Sequence, residues 1–258
     1  MGEVSRVLST LGIAAAAAIG LSVLFNELDD TVRIEGEINA QTESDFIRDF
    51  NQAARGASED NPVIISIDSH GGEANAGFNI MEYIESSGVP VVMRCDGAAY
   101  SMAAILLIGT NSQSREANPG CTILIHEPYL DTGDMIIDRD LLAATVQSLR
   151  DDIDTADYTL LTHTYLMYQL YILERMLSSL EELRDDTIDR LTWNTDLTRE
   201  DLEIMYQYGD VIFMPRQAGA LGLVDKVYGR SFDEQDSQRI KSQSCPIFPA
   251  GMSFCPDR

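Results

Sequence analysis

One serine, one histidine and one glycine pair stand in settings from which acyl-transfer chemistry could be built. Ser101 lies in Gly97-Ala-Ala-Tyr-Ser-Met102, His126 in Ile123-Leu-Ile-His-Glu-Pro128, and Gly71 and Gly72 close Ser69-His-Gly-Gly72. Ser101 follows a β-like run, Pro90 to Met93, and opens an Ala- and Leu-rich segment that ends at Gly109. A serine there would meet first-turn N–H groups and a helix dipole, both of which favour developing negative charge. Taken singly, each residue has a plainer reading. Ser101 reads as an N-cap, His126 as a strand-end histidine and Gly71-Gly72 as a tight turn. Few residues compete for the role of base, because the only histidines are His70, His126 and His163 and the only lysines Lys226 and Lys241. His163 falls in a helical stretch with no ligand spacing around it and reads as structural.

The elements that must position these residues alternate. Val32 to Gly36 alternates apolar and polar residues, and Ser44 to Ala54 carries apolar positions at helical spacing behind a serine cap. Asn61 to Asp68 is a near-continuous β-branched run, as a parallel strand buried on both faces requires. A helix over Ala74 to Ser86, a strand over Val89 to Arg94, a helix over Ala103 to Gly109 and a strand over Thr122 to Ile125 follow. This β-α-β order predicts an α/β fold with parallel strands. Ligand and catalytic groups in such sheets gather at the carboxyl ends of strands, where Gly71, Ser101 and His126 all fall.

Composition narrows the function. The 258 residues include 42 acidic and 18 basic side chains, a formal net charge of −24, which repels phosphate backbones and argues against nucleic-acid binding. No Gly-Lys-Ser/Thr phosphate loop occurs, so no ATPase is carried in the chain, and no cofactor or metal is expected. Cys95, Cys121, Cys245 and Cys255 lack the paired spacing of a zinc site. In an exported protein Cys245 and Cys255 would close a small loop, and Cys95 and Cys121, which flank two adjacent site-bearing segments, are a second candidate for proximity; four free thiols are the equal alternative, for a cytoplasm.

Residues 1–30 contain an uncharged run from Val7 to Phe25, about the minimum for crossing a hydrocarbon core as a helix. Membrane anchoring through residues 7–25, a cleaved signal and a buried or oligomer-forming helix are the three readings, with membrane-associated or exported placement set against a cytoplasmic one. The expected organisation is this N-terminal segment, a main domain over residues 31–230 with a helical insertion at about 137–192, and a polar tail over residues 231–258 that holds two cysteines.

Four blocks, Ser69-His-Gly-Gly72, Gly97-Ala-Ala-Tyr-Ser-Met102, Ile123-Leu-Ile-His-Glu-Pro128 and Ala220-Leu-Gly-Leu-Val-Asp225, occur in the order and approximate spacing of the Clp protease proteolytic subunit family, including its phage-encoded branch. The chain resembles that family from about Thr31 to Gly229. The resemblance implies a crotonase-like α/β fold of repeated β-α-β units with an extended helical handle. It implies a serine endopeptidase acting on peptides or unfolded proteins, a ring-like homo-oligomer and an AAA+ unfoldase partner. By the same resemblance Ser101 is the nucleophile, His126 the general base, Asp210 the third member of the triad, and the N–H groups of Gly71 and Met102 the oxyanion donors.

His70 stands where the family has proline, and Tyr100 where it has a small residue beside the nucleophile. The stretch between His126 and Asp210 is longer than the family norm, which leaves Asp201 and Asp196 as alternatives to Asp210. Leu166 to Leu177 is apolar enough to need burial, within the chain or against a second copy. Two other functions stay open. A ring-forming scaffold with a decayed site would fit the departures at His70 and Tyr100. A membrane-bound signal-peptide-peptidase-like enzyme would fit residues 7–25 but needs a Ser-Lys dyad, and neither Lys226 nor Lys241 falls at an expected base position. Acyl-CoA-handling relatives of the fold would not need the Ser101 and His126 pair.

Overall fold

The structure, a computed structural model, describes residues 31–133, 135–155, 158–228 and 230–231. The N-terminal run Val7 to Phe25 and the tail with Cys245 and Cys255 lie outside the described residues. Among the described residues no helix is long and apolar enough to cross a membrane.

The β-branched run forms β2 (Val63–Gly72), with Ile65 and Ile67 fully buried. It pairs in parallel with β1 (Thr31–Ile38) on one side and β3 (Val91–Tyr100) on the other. Helices α1 (Ala40–Ala53) and α2 (Ala74–Ser87) make the crossovers. The cap of α1 is Asn39, whose side chain accepts from the Gln41 and Thr42 N–H groups, so the helix begins earlier than a Ser44 cap predicts. Its apolar stripe, Phe46, Phe50 and Ala53, is buried. The predicted turn at Gly71-Gly72 is instead the extended end of β2.

β3 changes partner along its length. Val92 to Cys95 pair with β4 (Ser114–Ala117), then Ala98 to Tyr100 pair with β5 (Thr122–Ile125). At the joint, Asp68 Oδ1 accepts from the Ala98 N–H at 2.9 Å, and a side chain at Gly97 would land on the Asp68 carboxylate. Cys95 and Cys121, both fully buried, are joined by a disulfide that ties β3 to the turn before β5.

α3 (Met102–Gly109) follows β3, and all eight residues are buried, as its apolar composition requires. Burying each of Ile105, Leu106, Leu107 and Ile108 contributes about 1.5–3 kcal/mol relative to exposure. Beyond β5 a small hairpin, β6 (Leu130–Asp131) and β7 (Ile136–Ile137), leads to α4 (Arg139–Thr155) and the long α5 (Leu160–Asn194). The C-terminal part of α5 joins the main core through Ile188 and Leu191. A second apolar cluster forms between α4 and α5 from Val146, Ile153 and Leu170. The outer part of α5 remains uncovered, with Leu160 and Leu161 84% and 83% exposed.

The chain returns through α6 (Arg199–Tyr208) to β8 (Val211–Phe213), which pairs antiparallel with β5. It continues through α7 (Pro215–Ala220), β9 (Lys226–Val227) and β10 (Arg230–Ser231). The main sheet runs β1-β2-β3-β4-β9-β10, with β5 and β8 branching from β3. This parallel-rich α/β sheet with its helical extension is the predicted fold class.

Candidate active site

Ser101 takes up the whole change of direction between β3 and α3. Its N–H donates to the Leu124 carbonyl at 2.9 Å, which holds β3 against β5 up to the serine, and its own carbonyl already accepts from Ala104 and Ile105 in α3. No turn residues intervene, so Ser101 adopts φ 54° and ψ −125°, a conformation that L-residues avoid. Although Ser101 occupies the N-cap position, its hydroxyl makes no capping hydrogen bond. The plain N-cap reading therefore fails. The Met102 N–H has no acceptor among the described residues, as expected for the first turn of a helix.

Gly71 lies against this corner with φ 91°. A Cβ there would come within 2.6 Å of the Tyr100 carbonyl oxygen and 2.8 Å of Ser101 Cβ, so only glycine lets β2 approach. The Gly71 N–H donates to Ser69 Oγ at 3.0 Å, and Ser69 Oγ donates to the Gly36 carbonyl. The amide expected to face an oxyanion is thus held by Ser69 in this structure.

His126 follows the last residue of β5. The β5–β8 ladder ends with the pair Ile125–Val211; His126 comes next after Ile125, and Asp210 comes just before Val211. Ser101, Met102, His126 and Asp210 all line one cleft of about 1330 Å³, and His70, Gly71 and Tyr100 lie on the same walls. Neither Asp201 nor Asp196 lines it. Asp201 is committed to a capping box with Thr198, its Oδ2 accepting from the Thr198 N–H at 2.8 Å. Asp196 packs beside Gly222, and its N–H donates to the Leu221 carbonyl.

The imidazole has a partner that sequence did not foresee. His126 Nδ1 is 2.7 Å from the Glu127 carbonyl oxygen, and the ring stacks on Tyr129 with centroids 4.9 Å apart. Because a carbonyl only accepts, this bond needs the proton on Nδ1, which in the neutral ring leaves Nε2 as the acceptor. No hydrogen bond joins Ser101 to His126, or His126 to Asp210, among the described residues.

Tyr100 and His70, the two departures from the family pattern, touch each other edge to face at 5.2 Å. The Tyr100 hydroxyl is bonded to Thr122 Oγ1 at 2.8 Å, which fixes the ring on the cleft wall. Among the described residues, Glu37, Glu73, Asp131 and Asp210 also line the cleft, together with the two imidazoles and without lysine or arginine. Its field is therefore negative.

A model of the Clp protease family matches residues 20–165, more than half of the chain. The chain belongs to the Clp protease family. Among curated relatives, the ATP-dependent Clp protease proteolytic subunit 2 of Treponema denticola is 29% identical over 121 residues, 47% of this chain and 60% of that protein. The ATP-dependent Clp protease proteolytic subunit of Bacteroides thetaiotaomicron is 31% identical over 93 residues, covering 36% and 42% of the two chains. Subunit 1 of Shouchella clausii is 32% identical over 92 residues, covering 36% and 48%. The matched stretch thus spans 60% or less of each of these Clp subunits. Ser101 and His126 fall inside the stretch matched by the Clp family model, and Asp210 falls beyond it.

Proposed function

We propose that this Clp-family chain is a serine endopeptidase that cleaves peptides and unfolded proteins through an acyl-enzyme. The observation that carries the reading is the Ser101 corner. A strained serine with an uncommitted hydroxyl shares a cleft with a histidine whose Nε2 is free to accept a proton.

In this reading Ser101 Oγ attacks the scissile carbonyl carbon while His126 Nε2 takes the hydroxyl proton. The carbonyl oxygen becomes an oxyanion beside the Met102 N–H, and Gly71 joins as second donor by exchanging its bond to Ser69 for one to the oxyanion. Collapse breaks the C–N bond, and His126 returns the proton to the leaving amine. Water then attacks the acyl-enzyme by the same route in reverse. Asp210, which lines the same cleft as His126, stabilises the imidazolium formed in each half-reaction. Contacts between Ser101, His126 and Asp210 tighten when substrate excludes water.

The same reading places the chain in a ring-like homo-oligomer. Its support is the uncovered apolar flank of α5, where Leu160, Leu161, Tyr165, Tyr168 and Tyr171 are exposed. An AAA+ unfoldase would deliver folded substrates, since no phosphate loop occurs in the chain. Ser101→Ala is expected to abolish turnover of short unstructured peptides without changing the sedimentation of the assembly. Undiminished turnover in that variant contradicts the mechanism.

A further inference from the structure

We propose that Glu127 is a positioning residue for His126, and that two arginines from the helical extension fix the base through it. The inference rests on His126 being the base of the reaction proposed above.

The main chain of Glu127 supplies the carbonyl that holds His126 Nδ1 at 2.7 Å. Where that carbonyl points depends on Glu127 ψ, and two restraints act on it. Pro128 follows directly, and the residue before a proline is confined to extended conformations. The Glu127 side chain is anchored as well, with Oε1 accepting from Arg184 Nε of α5 at 2.9 Å and from Arg139 Nε of α4 at 3.1 Å. Glu127 and Arg184 are largely shielded, at 20% and 18% side-chain exposure, and the Arg184 guanidinium lies over the Tyr206 ring. Burial pushes the Tyr206 phenol up, so it stays neutral and does not compete with Glu127 for Arg184.

Two cations on one carboxylate oxygen is a costly arrangement in a chain with 18 basic side chains for 42 acidic ones. The residue they hold is the neighbour of the base. Its carbonyl performs the task usually given to the triad carboxylate, which is to keep the proton on Nδ1 and leave Nε2 open. Tyr129 stacked on the imidazole limits ring rotation from the other side. Asp210 is then left with stabilising the imidazolium charge.

The test uses the full-length chain with 15N-labelled histidine. The expected NMR result is a wild-type His126 protonated at Nδ1 with Nε2 free. Glu127→Ala and the Arg139→Met/Arg184→Met pair should give a tautomer mixture and lower kcat roughly 10- to 100-fold with KM within about twofold, the scale of a misplaced catalytic group. Glu127→Gln, whose amide oxygen still accepts from both arginines, should recover most of kcat. A wild-type His126 protonated at Nε2 overturns the proposal without any variant. So does an unchanged tautomer and kcat in folded Glu127→Ala and Arg139→Met/Arg184→Met proteins. Failure of the peptidase reading itself shows separately, as peptide turnover that survives Ser101→Ala, and leaves the tautomer measurement to decide the role of Glu127.

Discussion

Gly71 backs directly onto Ser101. A methyl group added at Gly71 would lie 2.8 Å from Ser101 Cβ and 2.6 Å from the Tyr100 carbonyl oxygen, and φ 91° adds backbone strain. Gly71→Ala should therefore cost about 1–3 kcal/mol of stability from strain alone and push the serine corner away from the cleft. We expect peptide turnover to fall by roughly a hundredfold in protein that remains folded, by misplacement of the nucleophile. Steady-state kinetics beside a urea melt will separate the two effects.

The Asp68–Ala98 hydrogen bond holds the joint at which β3 leaves β4 for β5. Asp68→Ala leaves the Ala98 N–H without its partner and should destabilise by about 1–3 kcal/mol, whereas Asp68→Asn keeps an acceptor and should lose less. Chemical denaturation of the two variants checks the order. Equal losses would mean that the charge, and not the acceptor, is what matters at the joint.

Asp210 and Asp201 should separate cleanly. Asp201→Ala removes a capping box, worth about 1 kcal/mol, and should lower the melting temperature without changing kcat of the folded protein. Asp210→Asn should do the opposite, lowering kcat roughly 10- to 100-fold with little change in melting. The expected loss is smaller than the ~10⁴-fold seen where the carboxylate alone fixes the tautomer, because the Glu127 carbonyl retains that task here.

Much of this site could be read from the sequence because it follows strand ends. β-branched and small-residue runs marked β2, β3, α3 and β5, and Ser101, His126 and Gly71 sit at their termini. Asp210 is assigned by resemblance alone; the Ile125–Val211 pair that brings its strand to β5 joins residues far apart in sequence and leaves no local pattern. Two local contacts were legible but passed over: Asn39, a favoured cap residue, caps α1 in place of Ser44, and Gly71 gives its N–H to Ser69 two residues before it. What stayed hidden depends on tertiary contacts. The Glu127 clamp joins residues 12 and 57 positions apart in sequence and leaves no periodic trace. The strain at Ser101 is likewise a product of β3 being pinned to β5 up to the residue where α3 begins.

The Cys95–Cys121 disulfide closes a 26-residue separation between the strands that carry Ser101 and His126. Replacing both cysteines by alanine should lower stability by about 2–4 kcal/mol through the unfolded state. Both sulfurs are buried, so a mild reductant should act only at the rate of local opening. Thiol counting against time in native and denaturing buffer measures that difference.

Among the described residues, four carboxylates and no lysine or arginine line the cleft. Peptides with lysine or arginine beside the scissile bond should have kcat/KM roughly tenfold above acidic counterparts at low ionic strength, with the gap narrowing as salt is added. A matched peptide series assayed across salt concentrations tests this.

The central claim is that Ser101 is an activated nucleophile, and covalent labelling tests it most directly. A fluorophosphonate probe followed by peptide mapping should place one adduct per chain on Ser101, absent in Ser101→Ala and much slowed in His126→Ala. A probe that leaves Ser101 unmodified while the protein turns over peptide, or that labels the chain equally well in Ser101→Ala, would contradict the account.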